Sequence, residues 1–301
     1  MKKSMQKQIA AAVLALGLAA GVLGAVSAKN SAMPTRAETR TGVTVYSNAK
    51  AAIDASNLAE GYLLVKYTGG KDVKIKVQIA RDGGTTYTYN LDNKGAAEIF
   101  SLTEGDGDYT VKVYENTTGA KYAQAYSTTV TMKLRSQFLP FLYPNQFVSY
   151  TEGSAVVKKA AELTKSDITD LARIQRIYDF VTQNFSYDYE LAKTVQSGYL
   201  PDVDEVLAAK KGICFDYAAV MAAMLRSRNI PCKLVVGYAG TVYHAWIDVY
   251  IEGVGWVDKV IYFDGVTWTL MDPTFVSSGN HSDSIMTYVT TDSNYTAKYI
   301  Y

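Results

Sequence analysis

The run Val73, Lys74, Ile75, Lys76, Val77, Gln78, Ile79 alternates apolar and polar side chains without a break, and Tyr109, Thr110, Val111, Lys112, Val113 repeats the period. A period of two sends alternate side chains to opposite faces of a pleated strand, so both runs predict strands with one buried face. Turn-forming clusters punctuate the region: Gly69-Gly70, Asp82-Gly83-Gly84, Asp92-Asn93-Lys94-Gly95 and Gly105-Asp106-Gly107-Asp108. Their intervals suit hairpins, and residues 41–134 read as a small antiparallel β-sandwich. The two carboxylates of the 105–108 turn are too few for a calcium site and read as turn chemistry.

After residue 134 the period changes. Residues 138–150, FLPFLYPNQFVSY, hold two prolines and little periodicity, which marks a junction. Capping residues at 166–170 then precede Leu171, Ile174, Ile177, Tyr178 and Val181, which share one face of a helix. A second helix fits residues 203–210, and a third starts at or just before Cys214 and runs through FDYAAVMAAMLRSRN. Strand patterns return at 234–236, 245–251, 255–257 and 267–271. Helices followed by antiparallel strands make residues 135–301 an α+β domain.

The N-terminus changes the picture of location. Lys2, Lys3 and Lys7 precede an uncharged run over residues 9–26, and Val26-Ser27-Ala28 places small residues where a signal peptidase would cut. Residues 1–28 thus predict a secretory signal peptide, residues 29–40 a polar linker, and the location secreted or at the cell surface. A retained membrane anchor is the competing reading of the same run, whose length is close to a bilayer's thickness. The chain carries 30 Lys and Arg against 29 Asp and Glu, and without the three signal lysines 27 against 29. A phosphate-binding surface would show as a basic excess, so nucleic acid is excluded as a partner.

Two cysteines in an exported chain raise the expectation of a disulfide. The helical stretch after Cys214 would carry the chain roughly 20 Å away before Cys232 is reached. A disulfide tolerates only about 4.4 to 6.8 Å between Cα atoms. Cys214 is therefore expected as a free thiol.

Three segments, GICFDYA around Cys214, HAWIDV from His244 and MDPTF around Asp272, supply a thiol, an imidazole and a carboxylate. A thiol is a nucleophile only as thiolate, and a helix N-terminus and a nearby imidazolium both favour that form. Histidine carries protons near neutral pH, and a carboxylate on its other nitrogen fixes the tautomer. Gly212, two residues before the cysteine, is expected to let a substrate backbone approach closely. Each residue by itself reads more simply: Cys214 as core packing, His244 as an ordinary strand histidine, Asp272 as a turn former before Pro273.

Taken in order, Gly212-x-Cys214, Leu225-Arg226-Ser227 with Ile230-Pro231, Gly237-Tyr238, His244-Ala245-Trp246 and Asp272-Pro273-Thr274 resemble the transglutaminase-like superfamily across residues 138–275. The resemblance implies a papain-like α+β scaffold and a triad of Cys214 as nucleophile, His244 as base and Asp272 as orienter. Cys232 departs from the family's usual polar or small residue without touching that triad. Domain by domain, the expectation is an immunoglobulin-like sandwich over 41–134 and a transglutaminase-like catalytic domain over 135–301.

For the oxyanion, the N–H of Cys214 is one expected donor and Tyr187 a second candidate, against the alternative that Tyr187 packs between domains. Trp246 is expected to point away from His244 into the core, and His281 to sit in a solvated loop. Two histidines and two cysteines without ligand spacing predict no metal and no cofactor. The chemistry expected is a thioester formed at an amide bond of an extracellular protein or peptide, in a cell-wall setting among others. An amine resolving the thioester makes a transglutaminase, and water makes a peptidase or amidase. The alternative is a non-catalytic surface or adhesion module on the same scaffold. A third reading gives Tyr87, Tyr89, Tyr109 and Tyr114 of the sandwich to sugar binding, against plain packing.

Overall fold

The computed structural model describes residues 41–167, 169–257, 261–263, 268–270 and 294–301, with the backbone alone for 261–263 and 268–270. Residues 34–301 cluster as one unit. Its first half is strands: β1 (Val45–Ser47), β2 (Ala51–Asp54), β3 (Tyr62–Tyr67), β4 (Ile75–Arg81), β5 (Thr86–Leu91), β6 (Glu98–Ser101), β7 (Gly107–Thr118) and β8 (Lys121–Met132). They form two antiparallel sheets, β1-β2-β3-β6 and β5-β4-β7-β8. The alternation seen in the sequence is the reason they face each other. Ile75, Val77 and Ile79 of β4 and Tyr109, Val111 and Val113 of β7 are buried against Ile53, Leu63, Val65 and Phe100 of the other sheet. Tyr87, Tyr89 and Tyr109 belong to this core, which is the packing alternative to sugar binding.

The turns correct one expectation. Of the four clusters, only 82–84 closes a hairpin, between β4 and β5, whereas the other three carry the chain from one sheet to the other. Turn residues fix where a chain reverses; which strand it then pairs with is decided by the sheet it lands in. The 105–108 crossing is held by Tyr109, whose hydroxyl donates to Gly105 O at 2.7 Å, in the manner of a tyrosine corner. Its carboxylates are used by the chain: Leu134 N–H donates to Asp106 at 2.7 Å and the Thr131 hydroxyl to Asp108 at 2.6 Å. On β7, Glu115 accepts from Lys50 at 2.8 Å, Lys71 at 3.2 Å and the Tyr67 hydroxyl at 2.6 Å. These bonds, that of Lys50 first, pull its carboxyl down to about 2, and burial together with the carboxylate pushes Tyr67 up to about 12.

The second half holds α1 (Ala155–Leu163), α2 (Asp170–Asn184), β9 (Ser186–Tyr187), α3 (Tyr189–Thr194), α4 (Val203–Ala209), β10 (Lys211–Gly212) and α5 (Cys214–Ser227). It continues through β11 (Cys232–Ala239), β12 (Val242–Ile251), β13 (Gly255–Val257), β14 (Ile261–Phe263), β15 (Trp268–Leu270) and β16 (Tyr295–Ile300). Thr169 caps α2 by accepting the Ala172 N–H at 3.2 Å, and Asp202 caps α4 through the N–H groups of Asp204 and Glu205, both at 3.0 Å. β13, β12, β11 and β16 form an antiparallel sheet in that order. Helix α5 is buried on every side from Asp216 to Ser227, because α1, α2 and α4 cover the faces that the sheet does not. Its Ala-rich sequence keeps it slim enough for that enclosure, and an all-round apolar helix belongs in a core.

Arg226, near the end of α5, is a buried cation in that largely apolar surround. Its guanidinium donates to Cys232 O at 2.9 Å, Tyr143 O at 2.8 Å and Tyr301 O at 2.8 Å. It thereby joins the helix to β11, to the junction segment and to the residue after β16. One buried cluster runs through both halves of the chain, with Tyr301 packed on Tyr89 of the sandwich at 6.1 Å and on Phe147 of the junction at 4.2 Å between ring centroids.

Candidate active site

Cys214 is the first residue of α5, and the turn that presents it is tightly specified. β10 pairs in parallel with β9, which sets Gly212 opposite Tyr187. Asp216, three residues after the N-cap Ile213, folds back so that Oδ2 accepts the Ile213 N–H at 2.8 Å, while Oδ1 accepts the Tyr199 hydroxyl at 2.7 Å. The Asp216 side chain is fully enclosed; that burial raises its pKa, against the lowering effect of the two hydrogen bonds. Gly212 has a reason other than substrate access: a Cβ there would lie 2.6 Å from the Cβ of Asp216. Glycine makes room for the carboxylate that ties the turn. Cys214 itself is partly exposed, and its N–H is among the first four of α5, which have no acceptor within the helix.

His244 sits on β12 opposite Gly237 of β11. A Cβ on Gly237 would fall 2.0 Å from Thr296 O, so β16 can lie this close to β11 only beside a glycine, at the point where the pairing register shifts. His244 and Cys214 line the same cleft, of about 570 Å³, together with Tyr187, Tyr199, Tyr243 and Tyr299. Tyr187 thus stands in the cleft and also packs edge-on against Tyr189 at 5.0 Å. Burial first, and the charge of Cys214 second, push its phenol up to about 12, so it keeps its proton near neutral pH and can donate a hydrogen bond. Asp272 and His281 lie outside the described residues. Trp246 is in the core, as expected, but on the same face as His244, with the rings stacked at 6.4 Å. Residues two apart on a strand share a face, and that corrects the expected opposite direction.

Both cysteines are free. Cys232 is buried beyond the far end of α5, and burial pushes its thiol up to about 12, which leaves it inert. No group of three or more His, Cys, Asp or Glu gathers at metal-binding spacing among the described residues. No helix among them is long and apolar enough to cross a membrane.

Several residues in or behind the cleft were not singled out from the sequence. Asp216 carried a readable signal, an acidic residue at the third position of a helix. Tyr199 and Tyr299 carried none, since they reach the cleft from distant segments, and Tyr243, although next to His244, carried no chemical signal of its own. Lys76, Thr88 and Asn90 come from the sandwich and complete one wall.

Residues 157–259 match the model of the transglutaminase-like superfamily. A UPF0252 protein of Methanocaldococcus jannaschii is 32% identical over 124 residues, 35% of this chain and 35% of that protein. Human kyphoscoliosis peptidase is 28% identical over 173 residues, 51% of this chain and 26% of the peptidase. The chain thus spans about a third or less of the length of these curated relatives. Among solved structures, a proposed cysteine protease of Cytophaga hutchinsonii matches 85% of this chain and 83% of its own, at 13% identity and TM-score 0.40. The periplasmic domain of TgpA from Pseudomonas aeruginosa matches 69% of this chain and 91% of its own, at 15% identity and TM-score 0.35.

Proposed function

With residues 157–259 belonging to the transglutaminase-like superfamily, we propose that the chain is an exported thiol enzyme that opens amide bonds of extracellular proteins or peptides through a thioester on Cys214. The observation that carries the reading is the meeting of a partly exposed cysteine, at the N-terminus of an otherwise enclosed helix, with a histidine in one cleft. In this mechanism His244 takes the Cys214 proton and the thiolate sulfur attacks the acyl carbon. The Cys214 N–H and the Tyr187 hydroxyl stabilise the resulting oxyanion. The carbon–nitrogen bond then breaks as His244 returns the proton to the leaving amine, and the acyl group remains on sulfur. A second amine gives transfer, and water gives hydrolysis, both with His244 as base. Asp272 holds the imidazole in the tautomer that accepts at the thiol and favours its charged form.

The test is mass spectrometry of a glutamine-containing peptide incubated with the purified protein, with and without a primary amine. Amine addition identifies transfer, and a gain of one mass unit or peptide cleavage identifies hydrolysis. Cys214→Ala and His244→Ala should each abolish turnover in a folded protein, their combination should be no worse, and Asp272→Asn should leave a remnant. Iodoacetamide should label Cys214 in the native protein and Cys232 only after unfolding. Full activity of Cys214→Ala would remove the thiol mechanism. Full activity of His244→Ala would give the proton to another group.

A further inference from the structure

The cleft has a wall that the thiol chemistry does not use. Lys76 on β4 and Thr88 and Asn90 on β5 face it from the sandwich, and β5 is an edge strand of its sheet. This wall is built into the site. Gln146 donates to Asn90 O at 2.7 Å, the neighbouring Phe147 ring lies 5.7 Å from the ring of Phe215, and Phe215 follows Cys214 in the chain. Gly198, on the loop that holds Tyr199, sits so near Asn90 that a Cβ would lie 2.4 Å from its side-chain amide.

The charges along the cleft are one-sided. No carboxylate is among its described lining residues; apart from His244, Lys76 is the one basic side chain there. Lys76 forms no ion pair among the described residues, and its ammonium donates to the neutral Asn90 Oδ1 at 2.5 Å. A solvent-facing ammonium beside an amide, with no ion pair among the described residues, attracts an incoming carboxylate and offers it further N–H donors. At the β11–β12 hairpin the cleft is open, with its lining residue Tyr243 56% exposed and the next residue back along the strand, Val242, 62% exposed. An exposed apolar edge of this kind takes side chains of a polypeptide.

We propose that Lys76 and Asn90 form a subsite for a carboxylate of the substrate peptide, so that the sandwich helps select what reaches Cys214. This rests on the amide-cleaving reading above. The carboxylate can be that of an acidic side chain or of a peptide C-terminus, and both present the same two oxygens.

The experiment uses the full-length Cys214→Ala protein, immobilised, with random dodecapeptide mixtures in two forms, C-terminally amidated and free acid. Bound peptides are sequenced by mass spectrometry. Expected are enrichment of Asp and Glu about fivefold over the input, weakening as salt is raised, its loss in Cys214→Ala/Lys76→Gln, and selection against acidic peptides in Cys214→Ala/Lys76→Glu. Enrichment within the amidated pool assigns the subsite to side chains, and enrichment of free acids over amides without residue preference assigns it to the terminus. Absence of any preference both for Asp and Glu and for free acids over amides, retention of no peptide, or a preference that survives Lys76→Glu overturns the proposal. Iodoacetamide labelling of Cys214 in Lys76→Glu separates the two ideas. Normal labelling with no charge selection sinks the subsite alone, whereas an unreactive Cys214 in the unsubstituted protein sinks the thiol reading.

Discussion

Replacing Arg226 with methionine isolates a buried cation that ties the helix of the candidate nucleophile to the rest of the molecule. Methionine matches its length and fits the apolar surround, so the change removes the guanidinium without a large cavity. Three hydrogen bonds from a charged donor are lost, at Cys232 O, Tyr143 O and Tyr301 O. Tyr301 O still receives the Leu234 N–H at 2.9 Å, so the carbonyls of Cys232 and Tyr143 lose most. Leaving a buried acceptor short of its donor costs about 1 to 3 kcal/mol, which puts the two at roughly 2 to 6 kcal/mol. Against this stands relief of the guanidinium's own desolvation, visible as a pKa lowered by burial. Since the lost donors served neutral carbonyls, no charge is left uncompensated, and the net cost falls in the lower half of that range. We expect Arg226→Met to lose about 3 kcal/mol, read as a melting temperature lower by about 6 to 12 °C for a domain of this size. Urea titration followed by circular dichroism measures it, and Arg226→Lys should recover part, since an ammonium can reach some but not all of three diverging carbonyls. Stability within about 0.5 kcal/mol of the parent would refute the argument, because then the three bonds only offset the burial of the charge.

Two further outcomes follow from other contacts. Glu115 has its carboxyl held at about 2 in the fold, so the stability it lends is present above its ordinary value near 4.5 and is lost as pH falls from there toward 2. Glu115→Gln should flatten that acid-side slope in melting curves taken at pH 2 to 6, and an unchanged slope would place the acid sensitivity elsewhere. Gly237→Ala should push β16 off β11, lowering stability by about 1 to 3 kcal/mol and slowing alkylation of Cys214, because Tyr299 of that strand lines the cleft. Unchanged stability would mean that Thr296 moves aside freely.

The parts legible in the sequence were those with a local cause. The alternation around Val77 and Val111 predicted the strands, and the spacing of Ile174, Ile177, Tyr178 and Val181 predicted the buried face of α2. The free state of Cys214 followed from the helix that separates it from Cys232. The crossings at 69–70, 92–95 and 105–108 were not legible, because a turn's residues say nothing of the sheet that follows it. Nor was β16, whose YTAKYI carries one clean apolar alternation at best and finds its place through Gly237. The tyrosines of the cleft, and its sandwich wall, are products of tertiary packing alone.

Helix α5 is enclosed from Asp216 to Ser227 and fastened at both ends, through Asp216 to Tyr199 in front and through Arg226 behind. Its backbone amides are therefore expected to exchange with solvent only when the whole unit opens. A candidate nucleophile on such a post cannot travel to meet a substrate, so under the proposed function whatever breathing admits a polypeptide belongs to the walls: the loop of Tyr199, the tip of the β11–β12 hairpin and the edge of the sandwich. Affinity and turnover are then separable traits, the first adjustable in the walls while the reacting atoms keep their places.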